Sequence, residues 1–156
     1  MSNEYKDWKR DRAEDAKEWV AKYPFLRIKD NSVYPWLNTE EIEEHWLDDI
    51  PVGWINAFGK QMCDELSEAL GEYIHDWIIT QVKEKFGELV VHYYFTDKDW
   101  TRQECSEINN IIKKIEDILS KYSKVSSKTC VKCGSPATHF STGWILPYCD
   151  NCHTNK

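Results

Sequence analysis

Apolar residues recur at three- and four-residue intervals through most of the first 123 positions, with one switch to a strand-like pattern. Tyr5, Trp8, Ala16, Trp19, Val20 and Tyr23 fall close to one stripe and predict a helix over residues 4–23. Pro24 ends it, because the residue before a proline is pushed out of the helical region. Residues 25–28 read as a short strand and 29–35 as a turn-rich stretch. A second helix begins at Asn38, an N-cap with Glu41 three residues on. It carries Ile42, Trp46 and Leu47 to about residue 49, where Pro51 and Gly53 break the pattern. A third, over 54–70, sets Trp54, Phe58, Met62, Leu66 and Leu70 on one face and stops at Gly71.

The clearest β signal follows. Residues 77–82 and 89–95 are rich in β-branched and aromatic side chains. Between them, 83–88 forms a hairpin loop in which Gly87 can take a positive φ, with Lys83 and Lys85 on the turn. A longer helix over 98–122 bears Ile108, Ile111, Ile112, Ile115, Ile118, Leu119 and Tyr122. Residues 123–129 are polar, without periodicity, and read as a linker. The prediction is an α+β fold: helices packed on a small antiparallel sheet, followed by a C-terminal zinc ribbon. The units are an acidic body over 1–123 and a metal module over 124–156. No internal repeat or low-complexity region interrupts either.

Cysteine spacing defines the module. Cys130 and Cys133 form one C-x-x-C pair, Cys149 and Cys152 another, and Gly134 follows the first where a knuckle needs unusual backbone angles. Two such knuckles complete a tetrahedral thiolate shell around one ion, for which Zn2+ is the favoured occupant. A rubredoxin-type iron centre uses similar knuckles, so the ligands are defined more firmly than the metal. Neither pair reads in sequence as the end of a strand feeding a helix, the setting a thioredoxin-like redox site requires. The intervening residues 135–148, turning at Ser141-Thr142-Gly143, read as a hairpin. His139 and His153 are substitute ligands should one cysteine not serve. Cys63 and Cys105, within helical stretches, read as inert buried thiols.

Charge bears on partners. The net charge is −7, which disfavours non-specific binding to phosphate backbones. The acidity lies in the body, because residues 124–156 carry Lys124, Lys128, Lys132 and Lys156 against Asp150 alone. Residues 1–12 are polar with no apolar segment behind them, and no run approaches the roughly 20 apolar residues of a membrane span. The protein is therefore expected in the cytoplasm, where disulfides are disfavoured.

No catalytic set emerges: there is no phosphate-binding glycine loop, G-x-S-x-G turn or H-E-x-x-H pair. His75 with Asp76, and His92, could form an acid–base pair but read better as surface residues. The acidic run Glu40, Glu41, Glu43, Glu44, Asp48 and Asp49 reads as a solvated helix face. The chain is expected not to be an enzyme. Eight tryptophans and eight tyrosines exceed what so small a core encloses comfortably, which favours a binding surface. Trp8, Trp36, Trp100 and Trp144 lie near element ends or loops.

Residues 81–93, Q-V-K-E-K-F-G-E-L-V-V-H-Y, followed by a long helix and a C-x-x-C-G-x-P module with Gly143-Trp144 and a second cysteine pair, resemble a recurring arrangement in small uncharacterised bacterial and phage proteins. The likeness covers roughly the second half of the chain, with Val90 where the family pattern often has arginine. It implies a phage or mobile-element setting and brings no activity with it. The reading that follows is a zinc-containing, non-enzymatic protein that recognises another protein, such as a host or defence protein that it inhibits, with Trp144 as the anchor. The alternative is a nucleic-acid or nucleotide-binding module using Lys83, Lys85, Lys128 and Lys132.

Overall fold

The computed structural model describes residues 13–28 and 45–154. The expectations for Tyr5, Trp8, Trp36 and the acids at 40–44 fall outside them. Helix α1, Ala13–Lys22, buries Ala16 and lays Trp19 and Val20 against the core. The strand expected over 25–28 is instead a 3-10 turn, Pro24–Leu26, with Pro24 at its first position. The Arg27 N–H closes that turn on the Pro24 carbonyl at 3.2 Å, and Arg27 pairs with His45 in an isolated bridge instead of a strand. The described part of the expected helix over 38–49 is likewise a 3-10 turn, Trp46–Asp49. Pro51 accounts for its end, since Ile50 before it must be extended.

Gly53 does not break the chain's helical path. Helix α2, Val52–Trp54, passes through a π-helical turn, Ile55–Gly59, into α3, Lys60–Leu70, with helical backbone angles at Trp54, Gly59 and Lys60. Glycine is needed at 53 for close approach: a Cβ there would stand 2.1 Å from the Cys130 carbonyl oxygen. Gly71 then ends α3 at φ +51.

Strands β1, Trp77–Lys85, and β2, Glu88–Phe95, pair antiparallel with a bulge at Thr80. They are longer than expected and meet in a two-residue turn, Phe86-Gly87, at φ +53 and +82. Lys83 therefore lies within β1, opposite Val90, and not on the turn. Helix α4, Arg102–Ser126, opens with a capping box in which the Thr101 hydroxyl accepts from the Glu104 N–H and the Glu104 carboxylate accepts from the Thr101 N–H. It packs on β2 and α3.

The expected linker is corrected by the same helix. Residues 123–126 are its last turn, and the buried Ser126 hydroxyl accepts the Leu89 N–H at 2.9 Å. Beyond it come the short strands β3, His139–Phe140, and β4, Pro147–Tyr148, paired antiparallel, and helix α5, Asp150–Thr154. Cys130, Val131, Leu146, Tyr148 and Cys149 belong to one buried cluster with Trp46, Trp54, Leu70 and Trp77. The fold is thus α+β, with helices on a small antiparallel sheet and a four-cysteine ribbon sharing the body's core. No described helix is long and apolar enough to cross a membrane.

Candidate metal centre

The first knuckle rests on the body. Its Val131 carbonyl accepts the Gly53 N–H at 2.7 Å, and the Thr129 carbonyl accepts the Trp54 indole N–H at 2.9 Å. Within it, the Cys130 N–H donates to the Ser135 carbonyl at 2.8 Å and the Gly134 N–H to the Cys130 carbonyl at 3.0 Å. Gly134 takes φ +86, and a Cβ on it would lie 2.6 Å from the Gly53 carbonyl oxygen. The second knuckle runs from strand β4 into helix α5, a strand-to-helix setting contrary to expectation, and its His153 N–H reaches the Cys149 carbonyl at 2.9 Å. The two are tied by Val131 N–H to Pro147 carbonyl at 3.0 Å and Thr138 N–H to Tyr148 carbonyl at 2.9 Å.

These contacts bring the Sγ atoms of Cys130, Cys133, Cys149 and Cys152 within 4.8 Å of one another. The Cys133 and Cys149 sulfurs are 3.6 Å apart. A tetrahedral ion with metal–sulfur bonds of about 2.3 Å sets its ligands about 3.8 Å apart, so the spacing suits one ion. Each knuckle also aims a backbone N–H at a sulfur, Ser135 at Cys133 and Cys152 at Cys149, both at 3.4 Å. Cys130 and Cys149 are buried, whereas Cys133 is exposed and Cys152 half-buried, so the centre spans from the core to the surface.

The protonation preferences fit a cation. Burial opposes ionisation of Cys133, yet hydrogen bonds from Ser135 and then the neighbouring thiols hold it down to about 6. Cys152 is pushed above the ordinary thiol range by burial and then by Cys149, Cys130 and Cys133. One thiolate keeps its neighbour protonated because both charges cannot share the space uncompensated. A divalent ion removes that conflict by taking the place of the protons.

The histidines stand beside this set. His139 Nε2 lies 2.7 Å from Asp150 Oδ1, and its ring stacks on that of His153 at 4.2 Å between centroids. Elsewhere, His75 and His92 are not brought together. The register sets His92 against Gln81, four residues along β1 from Trp77, so about 13 Å of strand separates it from the turn carrying His75. Asp76 is engaged by Lys98 at 2.5 Å and by the Thr96 hydroxyl at 2.8 Å. Cys63 is buried, with its thiol pushed up to about 12 by that burial and then by Asp64. Cys105 corrects expectation: it is exposed on α4.

Of the residues expected at a partner surface, Trp144 is 55% exposed at the tip of the ribbon hairpin. Its indole N–H donates to Glu84 Oε1 at 2.7 Å, while Glu84 Oε2 accepts the Gly87 N–H at 2.8 Å. Lys83 and Lys85 lie on the face of β1 opposite the buried Val82 and Glu84. The Lys85 ammonium sits 6.0 Å from the Phe86 ring centroid. Glu84 was missed by sequence reasoning, although a carboxylate two residues after Val82 on an apolar strand face is a readable signal. Trp46, Trp54 and Trp77 are core, and Trp100 is half-buried against Tyr73.

Fold and site together define an α+β protein with a four-cysteine cluster built to hold a metal ion. No family model, curated protein or solved structure matches the chain.

Proposed function

We propose that the protein is a non-enzymatic, zinc-holding binding protein that recognises another protein through the ribbon hairpin. The observation that carries this reading is Trp144, exposed at a turn yet held in place by a buried carboxylate. Tryptophan in such a setting is the residue type that anchors interfaces. Zinc is favoured by four thiolates at tetrahedral spacing with no ligand position left for water, the mark of a structural and not a catalytic site. A reducing cytoplasm suits those thiols, which would otherwise pair as disulfides. The likeness of residues 81–93 and 130–152 to small phage and bacterial proteins supports a mobile-element setting, with a host or defence protein as the target.

Elemental analysis of the purified chain should return about one zinc ion per chain. A visible thiolate-to-metal absorption band with bound iron would replace zinc by iron, and four titratable free thiols with no metal would remove the centre. For the partner, affinity capture from host lysate is repeated with Trp144→Ala and with Lys83→Ala plus Lys85→Ala. A tryptophan-anchored interface survives moderate salt and loses about 2 kcal/mol or more on truncation. Loss of binding in the lysine pair, with a steep salt dependence and an intact Trp144→Ala, would establish the nucleic-acid reading instead.

A further inference from the structure

Phe86 occupies a backbone conformation that suits it poorly. It is the first residue of a two-residue hairpin turn at φ +53, where asparagine or glycine is the ordinary choice and a bulky ring is strained. The fold gains little from the ring, which is 73% exposed. A strained, largely exposed aromatic whose ring meets the Lys85 ammonium at 6.0 Å to the centroid, outside the apolar core, is a reason to look for a partner.

The turn is not isolated. Gly87 lies against the ribbon hairpin, where a Cβ on it would be 3.3 Å from the Ile145 carbonyl oxygen and 3.4 Å from Pro147. Glu84 joins the same two elements by accepting from Gly87 N–H with one oxygen and from the Trp144 indole with the other. Two turns distant in sequence are therefore clamped side by side. Between them they expose Phe86, Phe140, Trp144 and Ile145. Residues 134–148 contain no Asp, Glu, Lys or Arg, in a chain that is 30% charged.

The geometry points to a single composite plug that seats in an apolar cleft of a partner protein, with Phe86 as a second anchor beside Trp144 and Glu84 as the residue that positions them. This rests on the protein-binding reading above and names the surface and the kind of partner. Three features choose this occupant. The ribbon hairpin is uncharged, and Lys85 beside Phe86 adds a single cation in a chain of net charge −7, which disfavours nucleic acid. The three exposed rings present roughly 350 Å2, taking each at the 150–250 Å2 that an enclosed ring covers. That is well short of the about 800 Å2 each side of a stable interface supplies, which disfavours a dimer held by these rings alone, and it falls within the about 300–600 Å2 of a typical monomer's largest apolar patch, which is often functional. Turns are convex, so two copies meeting tip to tip would bury little, whereas a concave apolar cleft would enclose the rings.

The test uses Phe86→Asn, which relieves the turn and removes the ring. The plug requires a melting temperature equal to or above wild type, together with binding to the purified captured protein weakened about 30-fold or more. Glu84→Ala should weaken binding as well, although its side chain is buried. Should Phe86→Asn lower the melting temperature, Phe86→Gly supplies the same comparison at a residue free to adopt positive φ. As a separate readout, Phe86→p-benzoylphenylalanine should crosslink under light to apolar residues lining a cleft on the captured protein, and Tyr94→p-benzoylphenylalanine, on the outer sheet face, should not. If the Phe86 variants bind the captured protein as wild type does, the plug is wrong while protein binding stands. If wild type captures no protein, or only nucleic acid, both fall. Co-sedimentation with phosphatidylcholine–phosphatidylserine vesicles that is lost in Phe86→Asn would make the surface a membrane wedge and overturn the protein cleft.

Discussion

Replacing Gly53 by alanine should cost far more than the same change at Gly59, six residues along the same helical path. On backbone grounds both changes are favourable, since glycine is about 1 kcal/mol worse than alanine within a helix. Surroundings separate them. At 53 the new methyl would meet the Cys130 carbonyl oxygen at 2.1 Å, the Val131 carbonyl carbon at 2.6 Å and its oxygen at 2.7 Å. These are backbone atoms of a knuckle anchored by its sulfur ligands, so they cannot swing aside. Relief requires helix and knuckle to part, adding an overpacking cost of about 1–3 kcal/mol. The parting also breaks the bond from Gly53 N–H to Val131 carbonyl at 2.7 Å, which costs about 1–3 kcal/mol when left unpaired in the interior. Set against the propensity gain, Gly53→Ala should destabilise by about 3 kcal/mol. At Gly59 the nearest atom is the Ile55 Cγ2 at 3.3 Å, the end of a side chain that can shift, and the change should stay within about 1 kcal/mol of neutral. Urea unfolding of the metal-loaded proteins measures the difference: with m of about 2 kcal/mol/M, the Gly53→Ala midpoint falls by about 1.5 M. Because Cys130 rides on the displaced segment, chelator competition should also show metal held about 10–100-fold more weakly. Equal midpoints for the two variants, with equal metal affinity, would refute the docking of the knuckle on the helix.

Other expectations can be stated more briefly. Cys133→Ser or Cys149→Ser should lower metal content and shift the melting transition of the whole chain, because Cys149 and the residues beside it lie in the shared core; two transitions with an unshifted body would show independent units. Glu65 is held below the ordinary carboxylate range by hydrogen bonds from Lys121 and then Tyr122, against some burial. A depressed folded value gives stability that is complete above the unfolded pKa, near 4.5, and lost as pH falls through the lower folded one, so Glu65→Gln should flatten the acid limb of a stability–pH curve; an unchanged limb would refute this. Tyr23, Tyr73, Tyr93 and Tyr122 are all raised, chiefly by burial for three of them and by the Glu107 hydrogen bond for Tyr73, so ultraviolet titration should leave these four un-ionised at pH 10.

What the sequence made legible was whatever depends on short-range pattern. The four-cysteine cluster was readable because C-x-x-C spacing dictates geometry within four residues, and α4 because Ile108, Ile115 and Tyr122 recur at helical intervals over many turns. The hairpin was readable from its β-branched strands, though not its turn: Phe86 at positive φ defies local preference, so a longer loop was expected. Residues 25–28 misled because two apolar residues behind a proline fit a short strand and a 3-10 turn equally. Residues 123–126 misled because Ser123, Lys124 and Ser126 leave Val125 without an apolar stripe. Their helix is held by tertiary contact, Ser126 to the Leu89 N–H, which no window on the sequence contains.

Gly53 shows the physical root of these misses. Helix starts leave several N–H groups without a partner, and sequence rules look for a side chain just upstream to accept from them. Here Pro51 and Gly53 read as breakers, and neither Pro51 nor Val52 has a side chain that could accept from the helix start. The acceptor is instead the Val131 carbonyl, delivered from 78 residues away by the first metal knuckle. Glycine serves because the capping group is itself backbone and must come within reach of a backbone N–H without a side chain between them. The helix start and the knuckle thus satisfy each other, and neither is complete in its own stretch of sequence. The first knuckle of the four-cysteine cluster is therefore a tertiary cap on the body's central helix, so an ion held there would be coupled to the stability of the fold that exposes Trp144.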